Sequence, residues 1–349
     1  MKVVIDDKIP YIREAAARLF DDVRYVGGSS FKQSGEIETA DALIIRTRTQ
    51  CNAALLEGTS VKYIATATIG YDHIDAVYLA SKGIEWTNCP GCNAASVGQY
   101  VRNALYLVCQ RREIQPDALA VGIVGWGHVG RQVEHALAEA GFRTILNDPP
   151  LQEAGNTERP FASLDTLAQD CDVITFHTPL TTDGAHPTYH LANAAFFEKL
   201  QRKPVIINAA RGGVVDEQAL LTASERGLVS DMIIDTWEGE PHINPVLLNK
   251  AFVATPHVAG YSADGKSNAT RMALRAVCRH FNIPIWDESE FLQLTAAPPL
   301  PPDIRPSGDI VADSLLLYNP LRDSERLKAR PADFELQRGD YPLRRESMS

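Results

Sequence analysis

The sequence predicts an α/β protein with parallel sheets, divided into more than one domain. Short β-rich runs alternate with helical stretches up to about residue 283, the pattern of strands joined by crossover helices. A glycine-punctuated turn, "VGIVGWGHVG", joins one such strand to one such helix. After about residue 284 the texture turns proline-rich and polar.

The elements follow in order. "KVVIDD" reads as a strand ending in acidic residues, and "PYIREAAARLF" as a helix opened by Pro10, whose ring presets φ for a first turn. "ALIIRT", "VKYIATA" and "GIEWTN" continue the strand series to about residue 88. From Asn93 to about Arg111 apolar residues recur at helical spacing. "ALAVGIVGWGHVGRQVEHALAEAGFRTILNDPP" then reads as strand, glycine turn, helix and strand. "DVITFHTPL", "PVIINAARGG", "SDMIIDTW" and "AFVATPHV" are four further strand-like runs. "GKSNATRMALRAVCRHF" is a helix that, packed back on the first strands, makes that domain discontinuous. The expected division is 1–92 with 262–283, an inserted 93–261, and a small C-terminal domain over 284–349. "TAAPPLPPDIRPSGD" is its stiff, extended entry.

With 45% hydrophobic and 22% charged residues, the composition is that of a soluble globular protein. The formal net charge of −10 and the lack of a Lys/Arg run argue against nucleic acid as partner, although a few local arginines can still bind one phosphate. No run approaches the ~20 apolar residues that span a bilayer, and no secretory leader pattern is seen, so no membrane partner and a cytoplasmic location are expected. The six cysteines are scattered, as reduced thiols would be. Cys89 and Cys92 form a C-x-x-C ahead of a helix, which suits a redox dithiol or half a zinc site. A zinc site needs a second pair, the other cysteines are isolated, and no His/carboxylate pair has zincin spacing, so no metal is expected.

In "VGIVGWGHVG", Gly125, Gly127 and Gly130 form G-x-G-x-x-G between a strand and a helix, and Asp148 ends the next strand. Gly125 permits the tight turn, Gly127 lets backbone approach a pyrophosphate, and Gly130 lets helix pack on strand. The helix N-terminus adds amides and a partial positive charge. Asp148 suits the ribose hydroxyls and repels a 2′-phosphate, which points to NAD over NADP.

Arg211, Glu240 and His257 each follow a strand-like run, and in open α/β sheets such positions gather at the ligand crevice. Together they make a set for oxidising a 2-hydroxy acid: His257 as base, Glu240 as its partner, and Arg211 as a paired-bond anchor for a carboxylate. His73 and His177 are explained equally by packing, capping or lining the site.

These stretches resemble the D-isomer-specific 2-hydroxyacid dehydrogenases. The matching pieces, in order from about residue 61 to 262, are "TATIGYDHID", "NCPGCNAASVGQYV", "VGIVGWGHVG", "FHTPL", "INAARGGVVDE", "DTWEGEP" and "TPHVAGYS". The resemblance implies two Rossmann-like parallel-sheet domains, a flavodoxin-like substrate domain and an NAD-binding domain, followed by a small α+β dimerisation domain. It places the family's Arg, Glu and His on Arg211, Glu240 and His257. It adds cofactor contacts at His128, Val129, Asp148, Thr178, Asp235 and Gly260. It also makes Asn88, Pro90, Gly91 and Asn93 a turn into the long helix, with the two cysteines in free positions. A narrower likeness, to a branch whose substrate is a phosphorylated 2-hydroxy acid, rests on "VVIDDKIPY", "DPP", "FHTPLTTDGAHPTYHL", "AGYSADGK" and "FELQRGDYPLRRE". It implies a homodimer through the C-terminal domain, substrate contacts at Thr47, Thr68 and Tyr261, and Arg46 or Arg48 at the phosphate. Two alternatives stay open. One is a relative acting on glycerate, lactate, formate or phosphoglycerate, and the other is a non-enzymatic NAD-sensing scaffold.

Overall fold

Five aliphatic runs build the first sheet: β1 (Lys2–Asp6), β2 (Asp22–Val26), β3 (Ala42–Ile45), β4 (Tyr63–Thr66) and β5 (Glu85–Thr87). All pairings are parallel and the order is β2-β1-β3-β4-β5. Every residue of β3 and β4 is buried, as strands covered on both faces require. β2 is a half-exposed edge strand with the polar sequence DVRYV, which hides it from a hydrophobic pattern search. The order reverses between β1 and β3, and the residues just beyond them lie at the switch point of the sheet.

In the computed structural model, which describes residues 1–155 and 159–348, the chain forms two units. One is Met1–Asn93 with Ser262–Pro299, the other Ala94–Tyr261 with Leu300–Ser349. In the first, the helix Ala263–His280 lays Ala273, Leu274 and Val277 against Val3, Ile5 and Ala65. The helix expected to open at Pro10 starts instead at Arg13, because Tyr11 adopts a left-handed φ of +59° that no helix can carry.

The second unit holds β6 (Ala120–Val124), β7 (Arg143–Asn147), β8 (Val173–Phe176), β9 (Val205–Asn208), β10 (Asp231–Ile234) and β11 (Val253–Ala254). They are parallel in the order β11-β10-β9-β8-β6-β7, with the switch point between β6 and β8. The long helix Ala94–Arg112 buries Tyr100, Val101, Ala104 and Leu105. It runs so close to the helix His128–Glu139 that a Cβ on Gly98 would lie 2.8 Å from the Gln132 carbonyl oxygen.

The stretch 284–349, expected as one small α+β domain, divides between the units. Phe291 is buried in the first core, while Leu327 and Phe334 fill the second. Its elements are helices, Glu288–Leu294, Ile310–Leu317, Pro320–Ala329 and Phe334–Gly339, with no strand among the described residues. Within the second unit Asn103 donates to the Ser314 and Tyr318 carbonyls at 2.9 and 2.7 Å, and Ser324 Oγ accepts the Ala254 amide at 2.9 Å. No described helix is long and apolar enough to cross a membrane.

Candidate active site

The glycine turn at the end of β6 has the geometry its spacing demands. Gly125 has φ +87°, and a Cβ there would sit 3.0 Å from the His177 carbonyl. Gly130 faces the Gly125 oxygen so closely that a Cβ would reach 2.0 Å from it. Gly127 caps the helix His128–Glu139 and meets nothing within 4 Å, leaving the backbone open to a ligand. Asp148 holds the turn: Oδ2 accepts the Trp126 amide at 2.7 Å, and Oδ1 accepts the Leu151 amide at 3.0 Å. His128 is exposed and Val129 half-buried at the start of the helix. Across the switch point, Thr178 has a buried hydroxyl without a hydrogen-bond partner. His177 is fully buried and bonded to Thr175 Oγ1 at 2.8 Å, and burial pushes its pKa down to about 3, so it stays neutral.

Beyond β10 and β11, Asp235 organises the loop that carries His257. It is buried, and its carboxylate accepts from Thr255 Oγ1 (2.6 Å) and from the amides of Val258 (2.8 Å) and Ala259 (3.0 Å). Burial raises the Asp235 pKa, with His257 and these donors opposing it. The His257 amide donates to the Asp235 and Thr255 carbonyls, and His257 itself takes φ +57°, a left-handed conformation held by this turn. Gly260 and Tyr261 follow in the same loop, both half-buried.

His257 Nδ1 lies 2.8 Å from Glu240 Oε2, and Glu240 Oε1 accepts the Trp237 amide at 2.9 Å. Burial works against charge on Glu240, but the bond to His257, the amide of Trp237 and nearby Arg338 outweigh it and bring the pKa below the usual carboxylate value. Arg211 stands beyond β9 with its backbone carbonyl held by Asn208 at 3.0 Å. The next residue must be glycine, since a Cβ on Gly212 would come within 1.9 Å of the Trp237 oxygen. Arg211, Glu240 and His257 line one concavity of about 410 Å³ together with Leu180, Tyr189 and Trp237.

Beside it, His190 Nε2 is 2.9 Å from Glu238 Oε1 and Nδ1 is 3.5 Å from Asp216 Oδ2. These three could together reach an ion, but they are already bonded to one another. Buried Glu217, whose carboxylate accepts the Glu238 amide at 2.8 Å, has its pKa raised to about 7, by burial first and then by Glu238, Glu240 and Asp216.

In the first unit, Asp6 ends β1 fully buried and pairs with Arg46 at 3.0 Å. Thr47 and Arg48 are exposed just after it, and Thr49 turns inward to donate to the Gly28 carbonyl at 2.9 Å. Thr68 donates to the Gly70 carbonyl at 2.9 Å and meets Thr66 Oγ1 at 2.7 Å. Thr66 also binds buried His73 at 2.9 Å, which makes His73 part of the packing. Cys89 and Cys92 are buried and unbridged. Burial first, then Cys92, pushes the Cys89 thiol far up, and its Sγ–H points at the Thr66 and Ala269 carbonyls, so the pair is not a reactive dithiol. Gly91, with φ +77°, and Asn88, donating to the Ile69 carbonyl at 2.7 Å, shape this turn.

Residues 97–259 match the model of the D-isomer specific 2-hydroxyacid dehydrogenase NAD binding domain. The chain is 51% identical over 347 residues to an erythronate-4-phosphate dehydrogenase of Bacteroides thetaiotaomicron, covering 99% of this chain and 97% of that one. It is 38% identical to the erythronate-4-phosphate dehydrogenase of an Escherichia coli strain, covering 99% and 92%. The chain belongs to the D-isomer-specific 2-hydroxyacid dehydrogenases. Two solved structures share its fold. D-2-hydroxyisocaproate dehydrogenase superposes with a TM-score of 0.67 at 22% identity over 80% of this chain and 97% of that one. An Aquifex aeolicus D-lactate dehydrogenase complexed with NAD and lactic acid has a TM-score of 0.60 at 23% identity, covering 80% and 96%.

As a member of this family the protein is an NAD-dependent dehydrogenase, and the turn fits that cofactor. Its open Gly127, the helix start behind it and the unpartnered Thr178 hydroxyl are the features a dinucleotide needs. Two arginines near this machinery lie outside any strand-end motif of the sequence. Arg338 lies 3.7 Å from Glu240 Oε2, and Arg344 braces the loop 258–261. Their only signal is the C-terminal "FELQRGDYPLRRE", about a hundred residues from their partners in the chain.

Proposed function

We propose that the protein oxidises 4-phospho-D-erythronate at C2 to 2-oxo-3-hydroxy-4-phosphobutanoate, a step of pyridoxine 5′-phosphate biosynthesis. The observation that carries the chemistry is the 2.8 Å pairing of His257 Nδ1 with Glu240 Oε2 in the concavity that also holds Arg211. A carboxylate on Nδ1 keeps the proton there and leaves the Nε2 lone pair as a base. His257 takes the C2 hydroxyl proton at Nε2, and Glu240 stabilises the imidazolium that forms. Arg211 holds the substrate carboxylate by two parallel bonds. NAD, when bound, would supply the acceptor for the C2 hydride. Gly125, Gly127, His128, Val129, Gly130, Asp148, Thr178 and Gly260 hold the cofactor, and Asp235 contributes by building the His257 loop.

At the other end of the substrate, the phosphate is assigned to Arg48, exposed beside the Asp6–Arg46 pair. Thr47, Thr68 and Tyr261 hold the hydroxyls. Identities of 38–51% over nearly full length to proteins named for this phosphorylated substrate support the reading. We assign the protein to the cytoplasm as a homodimer formed through residues 284–349. Exposed Ile310, Leu316 and Leu336 there support self-association, which light scattering on the eluting protein would test.

Purified protein with NAD and 4-phosphoerythronate should form NADH. His257→Ala should lower kcat roughly 10²–10⁴-fold while NAD affinity stays within about twofold, since the base acts on the proton and not on the nucleotide. Near-normal kcat in that variant would overturn the assignment.

A further inference from the structure

The C-terminal tail reaches the catalytic pair. Phe334 is buried in the core of the second unit and roots the helix Phe334–Gly339, whose Arg338 points Nη1 at Glu240 Oε2, 3.7 Å away. That oxygen is the one bonded to His257. Arg338 also hydrogen-bonds the Tyr261 side chain and lies 3.9 Å from Glu335 within its own helix. Six residues on, Arg344 is 7% exposed and donates to the carbonyls of Val258 (3.0 Å), Ala259 (2.6 Å) and Tyr261 (2.8 Å). It binds Gln99 Oε1 at 2.9 Å as well, so the loop after His257 is stitched to the tail. A buried guanidinium spent on backbone carbonyls fixes that loop at a cost in desolvation that only tight geometry offsets.

We propose that Arg338 is a positioning residue for proton transfer at His257, its guanidinium holding the Glu240 carboxylate and the Tyr261 hydroxyl in one arrangement, so that the C-terminal tail is part of the active site. The inference rests on the reading of His257 and Glu240 as the base and its partner. Freed from Arg338, the half-buried Glu240 carboxylate keeps only His257 and the Trp237 amide to hold its rotamer. The charged groups that face the pair are Arg338, Arg211 and Glu238 in the same concavity, buried Asp235 beneath the loop and Glu217 behind Glu240. Of the two arginines, Arg338 is the one paired with the Glu240 carboxylate, and it opposes the pull of Glu240 on a proton at His257.

The test uses the full-length chain with Arg338→Met and Arg338→Lys, reading kcat and KM separately across pH. In Arg338→Met kcat should fall about 10–100-fold, with KM for the hydroxy acid and for NAD within about twofold. The acid limb of kcat/KM should move to higher pH by roughly half a unit, since a cation has been removed from beside the pair. Arg338→Lys, which keeps stem and charge but loses the planar fork, should lose about three- to tenfold in kcat with the limb in place. It supplies the reading by itself if the Met variant does not fold. A kcat equal to wild type in the folded variants overturns the proposal. So does a tenfold rise in KM with kcat and the limb unchanged, which would make Arg338 a substrate contact. Running 4-phosphoerythronate beside D-lactate and 3-phosphoglycerate separates the two claims. If the wild type oxidises only the other acids, the substrate assignment fails, and Arg338 is judged on the acid that reacts.

Discussion

The two sheets of this protein have the same parallel winding, yet the residues beyond their strands are disposed in opposite ways. In the first unit the charge at the switch point is neutralised from within, as buried Asp6 and Arg46 pair at 3.0 Å. The nearby hydroxyls of Thr66 and Thr68 bond to each other, and Thr66 also bonds His73. In the second unit the corresponding positions form a pair whose reactive atom is left over. Glu240 is held by a backbone amide and spends its other oxygen on His257 Nδ1, which keeps Nε2 for chemistry. A strand end of the first kind offers a substrate the side chains exposed beside the pair, here Arg48 and Thr47. One of the second kind can move a proton. Topology supplies the crevice, and the hydrogen-bond partners decide what the crevice does.

The sharpest way to break this contrast is Arg46→Ala, which leaves Asp6 buried without its cation. It should cost on the order of 3 kcal/mol of stability, measured as a lowered urea midpoint. Arg48→Ala, at an exposed position, should stay within about 0.5 kcal/mol. Equal losses in the two would mean that Arg46 is not the structural member. The matching disruption in the second unit is Gly212→Ala, whose methyl has no room beside the Trp237 oxygen. Pushing the Trp237–Glu240 segment aside should cost about 2 kcal/mol of stability and lower kcat about a hundredfold, read by steady-state kinetics on the folded variant. A smaller effect is expected at the cofactor turn. Asp148→Ala removes the acceptor of the Trp126 and Leu151 amides and should weaken NAD roughly tenfold, narrowing its advantage over NADP. Isothermal titration with both nucleotides checks this, and an unchanged preference would count against the ribose role.

The smallest effect concerns pH. The Glu217 carboxyl is raised from 4.5 to about 7 in the folded protein, so between those values the folded state keeps a proton that the unfolded chain has lost. Stability from this group is therefore full below about pH 4.5 and lost as pH rises through about 7. Glu217→Gln should flatten that part of the thermal-midpoint profile, and a slope as steep as that of the wild type would refute the assignment.

What could be read directly from the chain follows from how local each signal is. The glycine turn was legible because Gly125, Gly127 and Gly130 lie within six residues, and at Gly125 and Gly130 a side chain has no room. Arg211, Glu240 and His257 were legible because each follows an apolar strand by a few residues, and a parallel sheet brings such ends together. The role of Asp235 was not legible, since only the folded loop shows its carboxylate capping Val258 and Ala259. The pairing of Arg46 was not legible, since its partner Asp6 lies forty residues upstream. Arg338 and Arg344 escaped for the same reason at greater distance, in a tail whose proline-rich entry suggests an appendage. Cys89 and Cys92 show the converse, a strong local pattern that burial empties of chemistry.

The most direct test of the account is the ratio of kcat/KM for 4-phosphoerythronate over unphosphorylated erythronate, in wild type and in Arg48→Ala. A ratio of roughly 10² or more is expected in the wild type, from charge-assisted bonds of a few kcal/mol to the phosphate. In Arg48→Ala the ratio should fall at least tenfold while kcat changes little, because proton transfer belongs to the second unit. A wild-type ratio near one, or a kcat that collapses with Arg48, would contradict it.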